Sequence, residues 1–578
     1  AWTARSVQPS WLVIALRPYN PEGVSFVHHV ELDRDLRGWT VDGHARVLFS
    51  TPAQRHRMSD YRRGDVYFYA PAGDDAFSVQ CDVGMATAAA LFELRPDRTQ
   101  SVAVTTPLIP AEPSGGRPRR IARMILGRPK VRTPSQQQSD AASWQDALSG
   151  HARLDIPDAK LQFLYEAAMR TLILHTPGDV YPGPYTYKRF WVRDTAFIVH
   201  ALLCSGLVER AERVLPKLLA RQIGSGYFRS QDGEWDANGE ALWTLWRFCR
   251  LSGRRPPAQW RSPLLKGAQW IVRKRLSADS DAPHAGLLPP GFSAEHLGQN
   301  DYYYWDDYWA AAGLRAAAAL LEELDERASA EAFRHEADDL LASVEGSLSA
   351  TASHRPRCGI PASPYRRMDS GAVGSLVAGY PLQLLEPDDP RLLDTVAVLR
   401  EHFFVNGGFF QDMIHSGINP YLTLHVAQVL LRAGDPSWME LLHAVATLAS
   451  PTGQWPEAIH PRTLGGCMGD GQHAWAAAEW AMAMRNAFVR EEAGRLIIAS
   501  GLSAGWTKEG KSASFGPAPT PWGTITIAVE SCGKRLVVRW QGAWRGEPPP
   551  MEVRPFDFEA KTVTQASGEV TLQQRPMR

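Results

Sequence analysis

The stretch Gly453–Trp480, GQWPEAIHPRTLGGCMGDGQHAWAAAEW, sets Glu457 beside Trp455 and Pro456, then crosses a Gly-rich loop to Gly469-Asp470-Gly471-Gln472-His473 and enters an Ala-rich run. An acid held among aromatic rings, on a loop that feeds a helix start, is what acid–base chemistry requires, because a helix N-terminus favours negative charge. The plain structural alternative is a polar loop with a solvated Glu457. The pattern recurs, however. Tyr187–Ala196 carries Asp194, Gln231–Glu240 carries Glu234 and Asp236, and Asn300–Trp309 carries Asp306 and Asp307. Pro364–Gly371 carries Asp369, and Gly407–Gly417 carries Asp412 and His415. Each loop mixes acids with rings or other polar groups, and each leads toward a helix. Any one of these acids could be a helix cap, Asp194 in particular.

Paired acids with aromatic platforms suit glycoside chemistry. One carboxylic acid protonates the leaving oxygen, a carboxylate on the other face activates water, and Trp and Tyr faces stack on sugar rings. A proton donor near neutral pH needs a raised pKa, which burial against aromatic rings supplies. Tyr302, Tyr303, Tyr304 and Trp305 give Asp306 and Asp307 the most apolar setting of this kind.

From about Asp158 the apolar period is helical. Helices are expected at 160–174, 194–204, 208–222, 240–251, 263–276, 307–324, 329–348, 371–382, 391–403, 420–433, 437–449 and 473–489. They come in pairs. The second member of each pair tends to be rich in Ala, Gly and Trp, as in Trp309–Ala318, and the first carries more Arg and Glu, as in Val208–Arg213. Small residues permit close approach and charged faces seek water, so the former are expected to be inner and the latter outer. Six hairpins closing into a ring predict a mainly α chain built on an (α/α)6 barrel. The loops that run from outer into inner helices would then meet at one mouth. Upstream, strands are expected at 11–16, 24–30, 39–47, 66–69 and 78–83, between Gly-, Pro- and Asp-rich turns, as an N-terminal antiparallel β-sandwich. Downstream, alternating runs at 496–498, 522–530 and 535–540 predict a small C-terminal β domain. The expected division is 1–112 sandwich, 113–157 linker, 158–492 barrel and 493–578 C-terminal β domain, as a chain of 578 residues exceeds one core.

Lys+Arg and Asp+Glu are both 62, so global charge gives no reason to expect a polyanionic partner. The basic run Gly115–Pro134 has no aromatic residue interleaved with its Arg, and reads as a solvated linker rather than a nucleic-acid site. The six cysteines have no paired spacing, which argues against zinc and a disulfide framework and for mostly buried thiols. No apolar stretch is long enough to span a membrane. The first residues read as a strand, not a signal peptide, so a cytoplasmic location is expected, although the chain begins with Ala and processing could have removed a leader. Twenty Trp beside many acids suit a carbohydrate partner, though large helical cores also use Trp.

The helical region resembles the six-hairpin glycosidases, and among them the glucoamylase-like and bacterial debranching-type enzymes. Trp191-Val-Arg-Asp194 is similar to the family's Trp-x-Arg-Asp, Trp305-Asp306-Asp307 stands where the family has Trp-Glu-Glu, and Pro456-Glu457 falls in the region of its general base. The resemblance implies a fold, an inverting exo-acting hydrolysis of a terminal α-linked sugar, and no cofactor or metal. It implies Glu457 as base and Asp306 as acid, with Asp307, Glu234 and Asp236 as alternatives because Asp replaces Glu in the motif. Substrate contacts are expected from Trp191, Arg193, Asp194, Glu234, Trp235, Asp236, Trp305, Asp307, Asp412, Trp455 and His473, with Arg189 beside them. Asp412 and His415 could equally hold their own loop, and His473 could simply cap a helix. Glu240 and Glu479, inside helices, are expected as buried acids paired with Arg. A polysaccharide lyase or uronyl epimerase on a similar toroid, a glycoside phosphorylase and a non-catalytic carbohydrate-binding protein are the competing readings. Acid-rich loops would repel a uronate, and a phosphorylase would need a basic pocket where Glu457 stands.

Overall fold

The structure is a computed structural model. It describes all residues but 21, 22, 25, 71, 107–143, 293–298, 353–356, 414, 415 and 576–578. The basic run 115–134 and His415 therefore lie outside the described residues. The chain divides into two compact units, Ala1–Ala147 and Leu148–Arg578.

In the first unit, Ser10–Leu16, Thr87–Leu94 and Arg55–Ser59 form one antiparallel sheet. Val104–Thr105, Ala45–Phe49, Gly38–Val41, His29–Leu32 and Ser78–Gln80 form another. Both contribute to one core containing Val30, Trp39, Phe49, Ala88, Ala90 and Phe92. Strand alternation turns Ala89 and Leu91 to the other face, against Val66. The segment Val66–Tyr69, expected as a strand, is a 3-10 turn instead. Asp65 caps it through Tyr67 N, and only Val66 is buried while Tyr67 and Phe68 are exposed. The expected strand 39–47 is a hairpin broken at Asp42-Gly43, both at positive φ.

In the second unit the described helices are α1 (Ala159–His175), α2 (Val192–Cys204), α3 (Val208–Leu219), α4 (Ala237–Ser252), α5 (Arg261–Lys274), α6 (Tyr304–Glu323), α7 (Arg327–Ala350), α8 (Pro390–His402), α9 (Pro420–Ala433), α10 (Trp438–Leu448) and α11 (Ala474–Phe488). The predicted helix at 371–382 is a 3-10 segment, Ser370–Ala378. Gly371, Gly374 and Gly379 weaken an α-helix there, and Pro381 could not continue one. Contacts run from α2 to α4, α6, the 3-10 segment, α9, α11 and back to α2. Helices α3, α5, α7, α8 and α10 each touch one or two members of that circuit from outside, as does α1.

Burial follows composition. All of α2 and α11 is buried, whereas α3 buries only Ala211, Val214, Leu215 and Leu218. Close approach of α4 and α6 depends on glycine: a Cβ on Gly239 would stand 2.1 Å from Trp309 O, and one on Gly313 would stand 2.4 Å from Gly239 Cα. The middle of the circuit is filled by rings. Phe197 stacks on Trp475 at 4.3 Å and meets Trp309 edge-on at 5.7 Å. Trp305, Trp438, Trp455 and Trp480 are also fully buried, so much of the tryptophan content is core.

Residues 153–155, which the sequence assigns to the end of the linker, form an edge strand on Ser512–Thr520. That sheet continues through Gly523–Cys532, Arg535–Trp544 and Ser567–Gln573. Ser512–Thr520 touches α2, α4 and α11. A smaller sheet, missed from the sequence, orders Phe404–Val405, Gly408–Gln411, Gly417–Ile418, Ala458–Ile459 and Gly466–Met468. Cys81, Cys204 and Cys249 are buried but Cys358, Cys467 and Cys532 are exposed, so half of the thiols depart from expectation. Among the described residues no helix is long and apolar enough to cross a membrane.

Candidate active site

A recess of about 410 Å³, counting its open part, is lined by Pro182, Tyr187, Trp191, Arg193, Asp194, Glu234, Glu457 and His473. These come from the segments leading into α2, α4 and α11 and from the first turn of α2. Three of the six acidic loops thus meet at this recess, where all six were expected at one mouth; the loops carrying Asp306 and Asp307, Asp369 and Asp412 do not line it.

Glu457 is half-buried. It sits directly before strand Ala458–Ile459, and Gly466–Met468 pairs with that strand. Tyr187 donates its hydroxyl to Glu457 Oε2 at 2.7 Å. Gly469, at φ 68°, passes so close that a Cβ there would lie 2.5 Å from Glu457 Cβ and Oε2. Next along the chain, Asp470 accepts the backbone N–H groups of Tyr185, Thr186 and Tyr187. It lies where a Cβ on Gly183 would be, 1.8 Å from its Oδ2. Sequence reasoning passed over Asp470 and Tyr187 as site residues. The Gly-Asp-Gly at 469–471 was the available signal, because glycines on both sides of an acid permit close backbone approach.

On the other loops, Arg193 is buried and donates Nε to Asp236 Oδ2 at 2.7 Å. Its Nη1 stands 3.7 Å from Glu234 Oε1, and Nε stands 4.0 Å from Glu240 Oε1. Asp236 Oδ2 also accepts from Trp305 Nε1 at 2.7 Å. Asp236 and Trp305, expected as substrate contacts, are therefore buried supports that fix Arg193 and the floor beneath it. Ser230 donates to Glu234 Oε2 at 3.1 Å. Asp194 lies 3.7 Å from His473 Nε2. It sits inside the first turn of α2, and neither Asp194 nor His473 makes the side-chain capping bond of its helix. Trp191 is half-buried, with the Arg189 guanidinium 3.6 Å from its ring centroid, and its indole N–H is a buried donor without an acceptor among the described residues.

Asp306 does not line the recess. It is 1% exposed, and neither carboxyl oxygen has a hydrogen-bond partner among the described residues. Gly291 covers it: a Cβ there would lie 2.7 Å from Asp306 Oδ2 and 2.6 Å from Trp235 Cδ1. Burial, then the negative charge of Asp236, push its pKa well above the carboxylate range, with Asp307 and Glu234 adding to the effect against Arg193. Asp307 is buried too. It accepts Leu288 N at 2.8 Å, and burial raises its pKa to about 8. Trp235 is half-buried, donates to Pro290 O, and has Lys274 Nζ 3.7 Å from its ring centroid. Trp455 donates to Val445 O and lies against Trp480 in the core. Asp412 is exposed, accepts from Ser370, and stands apart from the recess lining. Glu240 is near an Arg as expected, but Glu479 is held by Tyr380, Trp475 and His425 instead. Among the described residues no group of three or more His, Cys, Asp or Glu is arranged to hold a metal ion.

No family model matches the sequence, and no curated protein matches it in sequence. Solved structures do match in fold. A bacterial glucoamylase complexed with acarbose aligns with TM-score 0.53 at 13% identity, covering 82% of this chain and 76% of that one. The GH78 family rhamnosidase of Bacillus sp. GL1 aligns with TM-score 0.53 at 14% identity, covering 96% of this chain. The alignment spans 52% of the rhamnosidase, about half its length. With sequence likeness this low the comparison speaks to architecture: the chain has a glucoamylase-like fold.

Proposed function

We propose that the protein is an inverting, exo-acting glycoside hydrolase that cleaves a terminal α-linked sugar, with the helix circuit forming an (α/α)6 barrel and the recess binding the sugar. The observation that carries this reading is the presence of Glu457 and Glu234, from loops far apart in sequence, in one recess beside a tryptophan and an arginine. The glucoamylase-like fold supports it.

In this mechanism Glu457 takes a proton from water, and Tyr187 orients its carboxylate for that task. Glu234 faces the recess and delivers a proton to the leaving oxygen. Asp306, behind the recess and kept protonated by burial, limits the charge that accumulates around Glu234 and Asp236. The proton donor is thus Glu234, which lines the recess although only 3% exposed, rather than Asp306, favoured by motif position. Asp194 and His473, both lining the recess, offer a polar pair to a sugar hydroxyl. Three acids against one arginine would repel a uronate, which weighs against a lyase or epimerase.

The test is a panel of α- and β-linked aryl glycosides and oligosaccharides, with proton NMR of the first product formed. Release of a terminal sugar from an α-glycoside as the β-anomer is expected. Formation of the α-anomer first, or an unsaturated product, would overturn the inverting hydrolase.

A further inference from the structure

A second cavity lies toward the C-terminal ends of the same helices. It has about 540 Å³ of free space, counting its open part. Its walls include His200 of α2, Trp243, Trp246 and Arg247 of α4, and Arg490 just beyond α11. The layer of Phe197, Trp309 and Trp475 occupies the middle of the circuit. The active-site recess is instead built on the segments that lead into α2, α4 and α11.

The charges around this cavity do not balance locally. Arg485 pairs with Glu491, and Arg432 and Arg490 share Glu492. Arg247 has no carboxylate within ion-pairing distance among the described residues, although it is only 9% exposed. Its Nε donates to His200 Nδ1 at 3.3 Å, which makes that nitrogen an acceptor and the imidazole neutral. Its guanidinium stands 5.7 Å from the Trp243 centroid and 5.6 Å from that of Trp246. Arg490 is 2% exposed, and its Nε is a buried donor with no acceptor among the described residues. Burial pulls the Arg490 pKa down to about 10, with Arg554 and Arg432 acting in the same direction against Glu492. Glu479, the other buried acid nearby, is engaged by Tyr380, Trp475 and His425. Four guanidiniums thus meet two carboxylates in a partly enclosed space, and Arg247, which also donates Nη2 to Cys204 Sγ at 4.0 Å, is the one of the four with no ion pair among the described residues. An unpaired buried cation is costly. Exposed Gln383 stands at the rim, so the cavity communicates with solvent.

We propose that this cavity is a binding site for a small doubly charged oxyanion of the phosphate or sulfate class, held by Arg247 and Arg490. The oxyanion accepts from the planar donors of Arg247, Arg490 in the wall adds positive charge, and the anion's charge offsets the local excess. Bound there, it ties α4 to the strand that follows α11. This site is separate from the proposed catalytic recess, so its test stands whether or not the hydrolase reading does.

The experiment is calorimetric titration and thermal unfolding of the full chain in phosphate and in sulfate, against chloride at equal ionic strength. Saturable binding at one site per chain is expected, with a rise in Tm that chloride does not give. Arg247→Met should weaken it about tenfold or more, in line with loss of a charge-assisted bond. Gln383→Glu, an exposed change that puts a like charge at the rim, should weaken it as well and serves if Arg247→Met fails to fold. Equal effects of phosphate, sulfate and chloride, or full affinity in folded Arg247→Met or in Gln383→Glu, would overturn the site.

Discussion

Glu234 lines the recess and Asp306 lies behind it, and their roles can be separated by substitution. Glu234→Gln removes the recess-facing proton. Hydrolysis of substrates with poor leaving groups should fall by about 10²–10⁴, and aryl glycosides with acidic phenols should be partly spared, as expected for loss of a general acid. Asp306→Asn mimics the neutral acid already present and should change kcat by less than about tenfold. If the pattern is reversed, Asp306 is the donor and the loop around Gly291 must open to expose it. Asp307 gives a prediction for stability. Its pKa rises from 3.8 to about 8 on folding, so the native state holds a proton that the unfolded state releases. Its contribution is therefore intact below pH 4 and is lost as pH rises through 8, at about 1.4 kcal/mol per pH unit within that window. Asp307→Asn keeps the oxygen that accepts Leu288 N and should flatten this part of the Tm-versus-pH curve relative to wild type.

Single glycines set the spacing between elements. Gly239→Ala drives a methyl into the Trp309 carbonyl on α6 and should cost about 1–3 kcal/mol in chemical denaturation, as overpacking does. Gly469→Ala is different. It meets Glu457 itself and needs positive φ, so activity should fall by more than its stability loss of about 1 kcal/mol would suggest. The helices were legible from sequence because a fully buried inner helix and a one-sided outer helix differ in composition all along their length. Helix α9 matches its expected span, and most others match within a few residues. The small sheet that holds Glu457 was not legible. Its strands are two to four residues long, too short for alternation to register, and Gly417–Ile418 pairs with Ala458–Ile459 only across α9 and α10. The 3-10 turn at Val66–Tyr69 was hidden for a related reason: four aromatic and β-branched residues look like a strand until Asp65 caps them. Trp191-Val-Arg-Asp194 was legible as a candidate site segment because it opens α2, and Pro456-Glu457 because its acid stands beside Trp455 on the long segment that leads to α11. The burial of Trp455, Trp305 and Asp306 was not, since an aromatic cluster looks the same whether it lines a pocket or fills a core.

At the scale of the molecule, the second unit contains its own sheets, its helix circuit and the whole recess. A fragment Leu148–Arg578 should therefore fold and, if the proposed function holds, keep the wild-type kcat within a few-fold. A fragment starting at 158 should be less stable. It lacks Arg153–Asp155, the edge strand of the five-stranded sheet, and Ala152, whose carbonyl accepts from the buried Tyr165 hydroxyl at 2.6 Å. Comparing the melting of the two fragments distinguishes a boundary near 148 from the boundary that the helical period alone suggests. The measurement that bears most directly on the whole account is turnover of Glu457→Gln on whichever α-glycoside the wild type cleaves, alongside sugar binding by calorimetry. A catalytic base at Glu457 predicts that kcat drops by about 10² or more while affinity for the sugar stays within a few-fold. Wild-type turnover in a folded Glu457→Gln protein would contradict it.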